Sequence, residues 1–117
     1  MKNFCKLKEI YKVIYNLEAQ VQKELGLTIN ECILLCTLKK LEKSASELAE
    51  CISQSKSRTS KILSSIEKKG FIERDFDKID KRKTNFKLTA QGREKSRELA
   101  CSNIKIPDFI ISDPHSG

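Results

Sequence analysis

The sequence has little of what membrane proteins, secreted proteins and most enzymes need. Its 117 residues include no tryptophan, one histidine, four glycines and two prolines. No apolar run approaches the roughly 20 residues that cross a bilayer, so we expect no membrane span. The first residues, MKNFCK, lack the apolar segment of a secretory signal. The length fits one domain, and we expect it to be cytoplasmic.

The single histidine and the spacing of the cysteines argue against catalysis and against a metal site. His115 stands alone, and the five cysteines contain no CxxC pattern. An odd number of cysteines in a chain without a secretory signal indicates free thiols in a reducing compartment. No nucleophile–base set or metal-ligand cluster can be assembled around a single histidine. We therefore expect neither an enzyme nor a bound cofactor or metal.

What the sequence does have is positive charge concentrated in mid-chain. Lys and Arg number 23 against 16 Asp and Glu, a net charge of +7. Residues 54–83 carry ten basic and five acidic side chains, whereas the segments before and after are each close to neutral. A focused basic segment is expected where a protein binds a polyanion. Charge alone leaves a solvated lysine-rich surface equally open.

Three helices are predicted before residue 53. Apolar residues recur at three- and four-residue steps over residues 3–25, which predicts a long amphipathic helix that stops at the following glycine. Thr28 with Glu31, and Ser44 with Glu47, have the spacing of capping boxes, which open helices. The third helix would bury an apolar face that ends in Cys51 and Ile52.

A fourth helix, a hairpin and a fifth helix follow. The apolar spacing of Ile62, Leu63 and Ile66 predicts a helix that ends at Gly70, where the left-handed conformation of a helix end suits glycine. Two strand-like runs, 71–76 and 84–88, flank a polar loop. Thr89 caps a last helix to about Cys101. This order predicts a mainly α fold with a small β-hairpin wing, a winged helix-turn-helix.

Five sequence pieces, in this order, resemble the MarR family of transcriptional regulators. They are SELAE at 46–50, SRTSKIL at 57–63, IEKKGFIER at 66–74, DKR at 80–82 and LTAQG at 88–92. The resemblance covers roughly residues 28–95, and the chain length is closer to the small SarA-like branch.

The resemblance implies a homodimer in which each subunit reads one half-site of duplex DNA. Residues 1–26 would be a dimerisation helix, 28–89 the helix-turn-helix with its wing, and 90–117 a C-terminal helix and tail. The chain stops soon after the fifth helix, so the first helix and the apolar tail Ile104–Ile111 are the candidates for the dimer interface. The expected function is sequence-specific transcriptional regulation, as a repressor, with any small-molecule effector unidentified.

Ten residues are the candidate DNA contacts. Base readout is expected from Ser57, Arg58 and Ser60 at the start of the fourth helix, because arginine bonds guanine edges in the major groove. The remaining contacts are to phosphate or the minor groove: Gln54, Ser55, Lys56 and Lys61 near the turn, and Lys81, Arg82 and Lys83 in the wing. Arg82 would enter the narrow minor groove, oriented by Asp80 as the family resemblance implies.

Other interpretations of these residues stay open. Arg74 would contact phosphate or form a salt bridge with a neighbouring acid. Cys32, Cys36 and Cys51 are expected to fill the core, since free cysteine is among the most buried residue types. Reactive cysteines in a thiol-sensing regulator are the alternative. Winged helices also dock other proteins, so a protein-interaction module is the second alternative function.

Overall fold

The computed structural model describes residues 4–76, 79 and 84–104. In these residues it has five helices and three short strands. They are α1 (Phe4–Leu25), α2 (Ile29–Lys40), β1 (Lys43–Ser44), α3 (Ala45–Ile52), α4 (Lys56–Lys68), β2 (Ile72–Phe76), β3 (Thr84–Leu88) and α5 (Ala90–Cys101). The mainly α fold with a hairpin is confirmed. The strand β1 is an addition that the sequence did not predict.

Both predicted capping boxes are formed. At the start of α2, the Thr28 N–H donates to Glu31 Oε1 at 2.8 Å, and the Glu31 N–H donates to Thr28 Oγ1 at 3.1 Å. At the start of α3, Ser44 and Glu47 exchange the same two bonds at 2.8 and 3.3 Å. Each box satisfies two backbone donors that a helix start would otherwise leave unpaired.

The ends of α1 and α4 lie where the sequence placed them. Gly26 has φ +71° and its N–H donates to the Gln22 carbonyl at 2.9 Å. Gly70 has φ +85°, and its N–H donates to the Glu67 carbonyl at 3.0 Å while the Phe71 N–H donates to the Ile66 carbonyl at 3.1 Å. These two bonds form a Schellman motif, which ends α4 just before the hairpin.

The three strands form one antiparallel sheet in the order β1-β3-β2. Ile72 pairs with Leu88 at the base of the hairpin, and Lys43 pairs with Phe86 on the other side of β3. The strand β1 has only two residues, which is too short to show an alternating pattern in the sequence. Its second residue, Ser44, also caps α3.

The chain divides into two compact units, each described by itself. One contains the described residues 4–26 and 102–104, and the other is Leu27–Cys101. The second unit holds a leucine-rich core in which α2, α3, α4 and the sheet meet. Its buried apolar residues are Leu27, Leu34, Leu35, Leu38, Leu48, Ala49, Ile52, Leu63, Ile66, Ile72, Phe86 and Leu88.

The expected burial of three cysteines is wrong. Cys36 and Cys51 are exposed, and Cys32 is only partly buried. The reason lies in the helix period, because Leu34, Leu35 and Leu38 occupy the inward face of α2 and leave Cys36 on the outward one. In α3 the inward positions are likewise filled by other residues. Cys5 and Cys101 are also exposed.

Candidate nucleic-acid interface

A three-residue turn joins α3 to α4. Ser53 adopts the left-handed conformation, with φ 55° and ψ 43°, and its N–H bonds back to the last turn of α3. The Gln54 N–H donates to the Ala49 carbonyl at 3.1 Å. Ser55 then caps α4, since its Oγ accepts the Arg58 N–H at 3.1 Å. The turn therefore connects the two helices within three residues, and the first turn of α4 lies at the protein surface.

The helix α4 has one face in the core and one face in solvent. Thr59, Leu63 and Ile66, at the i, i+4 and i+7 spacing, are at most 1% exposed. The candidate contacts on the helix lie elsewhere around its axis and are all exposed: Lys56, Ser57, Arg58, Ser60 and Lys61. Ser55 is exposed too, and Gln54 is half-buried. The structure thus brings all seven turn and helix candidates to one surface segment.

The charge at the start of α4 suits an anion. The first turn contains Lys56 and Arg58 and has no acidic residue. Cations at a helix N-terminus lie beside the positive end of the helix dipole, which disfavours the helix unless negative charge is nearby. A bound anion would supply that charge, and helix N-termini are favourable places for anions.

A cleft of about 600 Å³ lies between α3, α4 and the hairpin. Its lining residues come from the start of α3, the outer side of α4 and the two strands: Ser44, Ala45, Ser46, Lys56, Ser60, Leu63, Ser64, Arg74, Thr84 and Phe86. Five of them carry hydroxyl groups, two are cations and none is an acid. The cleft therefore continues from the outer side of α4, where Lys56 lies, as far as the hairpin.

Arg74 forms a salt bridge, which was one of its two expected roles. Its Nε donates to Glu67 Oε2 at 3.1 Å and its Nη2 to Glu67 Oε1 at 3.2 Å. The guanidinium also lies 5.5 Å from the centre of the Phe86 ring. These contacts connect the end of α4 to both strands of the hairpin.

The wing candidates Asp80, Lys81, Arg82 and Lys83 lie outside the described residues, as does most of the tail Ile104–Ile111. Their roles stay predictions. The hairpin strands that flank the wing loop, β2 and β3, are paired from Ile72 to Phe76.

Glu31 has a second role, besides its predicted capping of α2, that the sequence did not indicate. It is 3% exposed, and besides capping α2 its carboxylate accepts hydrogen bonds from Ser65 Oγ at 2.8 Å and Lys69 Nζ at 3.0 Å. Burial alone would raise its pKa, but the hydrogen bonds from Thr28, Ser65 and Lys69 and the lysine charge outweigh this, so the pKa lies below its usual value. No sequence signal could reveal partners 34 and 38 residues away.

Neither a metal site nor a membrane helix is found in the part of the chain that the structure describes. No three histidine, cysteine or acidic side chains there are grouped to hold a metal ion. Over the same residues, no helix is long and apolar enough to cross a membrane.

Comparisons with known proteins point to transcriptional regulators. A family model described as transcriptional regulator SarA/Rot matches residues 5–99. A comparison with curated proteins gives no significant match.

Several solved structures share the fold. AbsC, a MarR family transcriptional regulator from Streptomyces coelicolor, has 29% identity and a TM-score of 0.71, over 86% of this chain and 73% of AbsC. The transcriptional regulator BldR from Sulfolobus solfataricus has 22% identity and a TM-score of 0.73, over 81% and 69%. S. aureus MepR, solved in complex with DNA, has 20% identity and a TM-score of 0.66, over 80% and 78%.

Proposed function

The chain belongs to the SarA/Rot family of transcriptional regulators, and we propose that it binds duplex DNA sequence-specifically, as a homodimer, and represses transcription. The observation that carries the proposal is the division of α4 into two faces. Thr59, Leu63 and Ile66 hold the helix in the core, so Arg58 and Lys61 are left in solvent. A helix presented in this way after a tight turn fits the major groove with its first residues leading.

The candidate residues divide into base readers and phosphate anchors. Ser57, Arg58 and Ser60 would read base edges, with Arg58 bonding guanine through two donors. The phosphate backbone of the DNA would be bound by Lys56 and Lys61, by the amides of Gln54 and Ser55, and by the cleft beside α4. In the wing, Arg82 would enter the minor groove, where the electrostatic potential is most negative. Lys81 and Lys83 would add phosphate contacts, and Asp80 would orient Arg82.

The homodimer is supported by an exposed apolar surface on α1. Phe4, Leu7, Ile10, Tyr11 and Tyr15 are large hydrophobic residues with 43 to 80% exposure. Their spacing places them along one side of the helix. A continuous apolar surface of this kind indicates a partner, and a second copy would supply the same surface by two-fold symmetry. The tail around Ile104–Ile111 is the other candidate for the interface.

The proposal is tested by selecting bound duplexes from a random library and measuring affinities for the selected site. Two symmetric half-sites are expected. Arg58→Ala should cost about 1–3 kcal/mol on the selected site and relax its sequence preference. Lys61→Ala should weaken binding to all sequences similarly, because it removes one phosphate contact. The salt slope, which is the steepness with which log affinity falls with log salt concentration, should decrease by about one.

Lys39→Ala is the matched control, since it removes one exposed lysine from the last turn of α2. It should leave affinity and salt slope nearly unchanged. Equal losses for Arg58→Ala on selected and random duplex would refute its role as a base reader. Failure of the wild-type protein to bind duplex DNA at low salt would refute the DNA-binding function and favour a protein-interaction module.

A further inference from the structure

The two capping boxes make the same pair of local hydrogen bonds, and Glu31 also bonds to α4. Glu47 is exposed, and its carboxylate accepts the Ser44 N–H at the start of its own helix. Glu31 is 3% exposed and accepts, besides the Thr28 N–H, hydrogen bonds from two side chains at the far end of α4. Glu31 therefore caps α2 and also bonds to α4. A variant of Glu47 can serve as the control for the loss of a capping carboxylate.

The bonds between Glu31 and α4 are directional and charged. Ser65 Oγ donates to Oε2 at 2.8 Å, and Lys69 Nζ lies 3.0 and 3.1 Å from the two carboxylate oxygens. A buried carboxylate is costly without such partners, and losing one of them exposes that cost. Any movement of α4 along or about its axis would stretch these bonds, so they oppose it.

Apolar packing alone would hold α4 less strictly. Thr59, Leu63 and Ile66 bury one face of the helix, but burial of apolar surface is non-directional and tolerates small rotations. Arg58 lies seven residues before Ser65, about 10 Å along a helix that rises about 1.5 Å per residue. A rotation permitted at Ser65 is therefore carried along the helix to Arg58 and Lys61, the residues that would face DNA.

We propose that Glu31 is a positioning residue that fixes the orientation of α4 through Ser65 and Lys69 and thereby sets the sequence preference of the DNA contact. This inference rests on the proposed DNA-binding function. Glu31 itself touches no DNA in this proposal. It acts by holding the helix whose side chains do.

The test compares affinity for the selected duplex with affinity for random duplex in Glu31→Gln. Glutamine keeps an oxygen for the Thr28 N–H but removes the charge that holds Lys69. We expect affinity for the selected site to fall about tenfold, as for the loss of one charge-assisted hydrogen bond. Affinity for random duplex should stay within about twofold, because it depends on charge rather than on alignment. Hydrogen exchange of the α4 amides should become faster.

Two further variants separate positioning from folding. Ser65→Ala removes one donor and leaves the Glu31–Lys69 pair, so it should lower the ratio of selected to random affinity by a smaller factor. This variant still tests the proposal if Glu31→Gln fails to fold. Glu47→Gln, the matched capping variant, should leave the ratio of selected to random affinity unchanged.

An unchanged affinity ratio in both Glu31→Gln and Ser65→Ala would overturn the proposal. So would equal losses on selected and random duplex that follow the fraction of unfolded protein, because Glu31 would then only stabilise the fold. A wild-type protein without a selected site would refute the proposed function. The positioning role would then be decided by hydrogen exchange, and unchanged exchange in α4 would overturn it.

Discussion

Replacing Gly92 with alanine should destabilise the domain because the new methyl group would collide with backbone. Gly92 lies in the third position of α5, and a Cβ added there would overlap the Phe71 carbonyl oxygen and lie 2.9 Å from the Phe71 carbonyl carbon. Leu88 Cδ2 would be 3.3 Å away. The carbonyl cannot turn aside freely, since it accepts the Thr89 N–H at 3.0 Å.

The expected cost follows from these contacts. Overpacking against a fixed group costs about 3 kcal/mol, and breaking the bond to Thr89 adds about 1 kcal/mol. Alanine regains about 1 kcal/mol from its better helix propensity. The net loss of about 3 kcal/mol is a large share of the roughly 5–15 kcal/mol that holds a small domain folded. Urea unfolding followed by circular dichroism measures it directly.

Gly26→Ala is the control, because it changes the backbone preference without a clash. A Cβ at Gly26 meets nothing within 4 Å, but the residue has φ +71°. The left-handed conformation alone should cost about 1–2 kcal/mol. If Gly92→Ala lowered the unfolding free energy no more than Gly26→Ala, the steric explanation for Gly92 would be refuted.

Two further predictions concern buried polar groups. Because the pKa of Glu31 is lowered in the folded state, its contribution to stability is complete above its unfolded pKa and is lost as pH falls through the folded one. Between pH 7 and pH 3, the unfolding free energy measured in urea should therefore fall more steeply for wild type than for Glu31→Gln. Parallel curves would contradict this. Thr59→Val should stabilise the domain by about 1 kcal/mol in thermal or urea unfolding, because the buried Thr59 Oγ1 has no hydrogen-bond partner among the described residues, and a destabilised variant would refute this.

Features set by neighbouring residues could be predicted from the sequence. The capping boxes at Thr28 and Ser44 and the glycine at the end of α4 depend on residues within four positions of each other. The polar turn before α4 depends on neighbouring residues too, although the capping of α4 by Ser55 was not predicted. The amphipathic spacing of α4 was likewise sufficient to place Arg58 and Lys61 in solvent.

Features set by distant residues could not be predicted. The two residues of β1 become a strand only because Phe86 and Asn85 of β3 lie beside them. Cys36 was expected in the core on the basis of its type and apolar neighbours, but α3, α4, α5 and β3 pack against the face of α2 that carries Leu34, Leu35 and Leu38. The pairing of Arg74 with an acid was one of two options, and the tertiary structure decided between them.

The dual position of Ser44 has a mechanical consequence for the whole winged helix. The residue belongs to the sheet ladder through Asn85 and to the first turn of α3 through its cap. Bending the hairpin would therefore strain the capping hydrogen bonds between Ser44 and Glu47 at the start of α3. The two parts would act as one stiff body, so adapting to unlike binding sites would have to come from side-chain rotation or from deformation of the DNA.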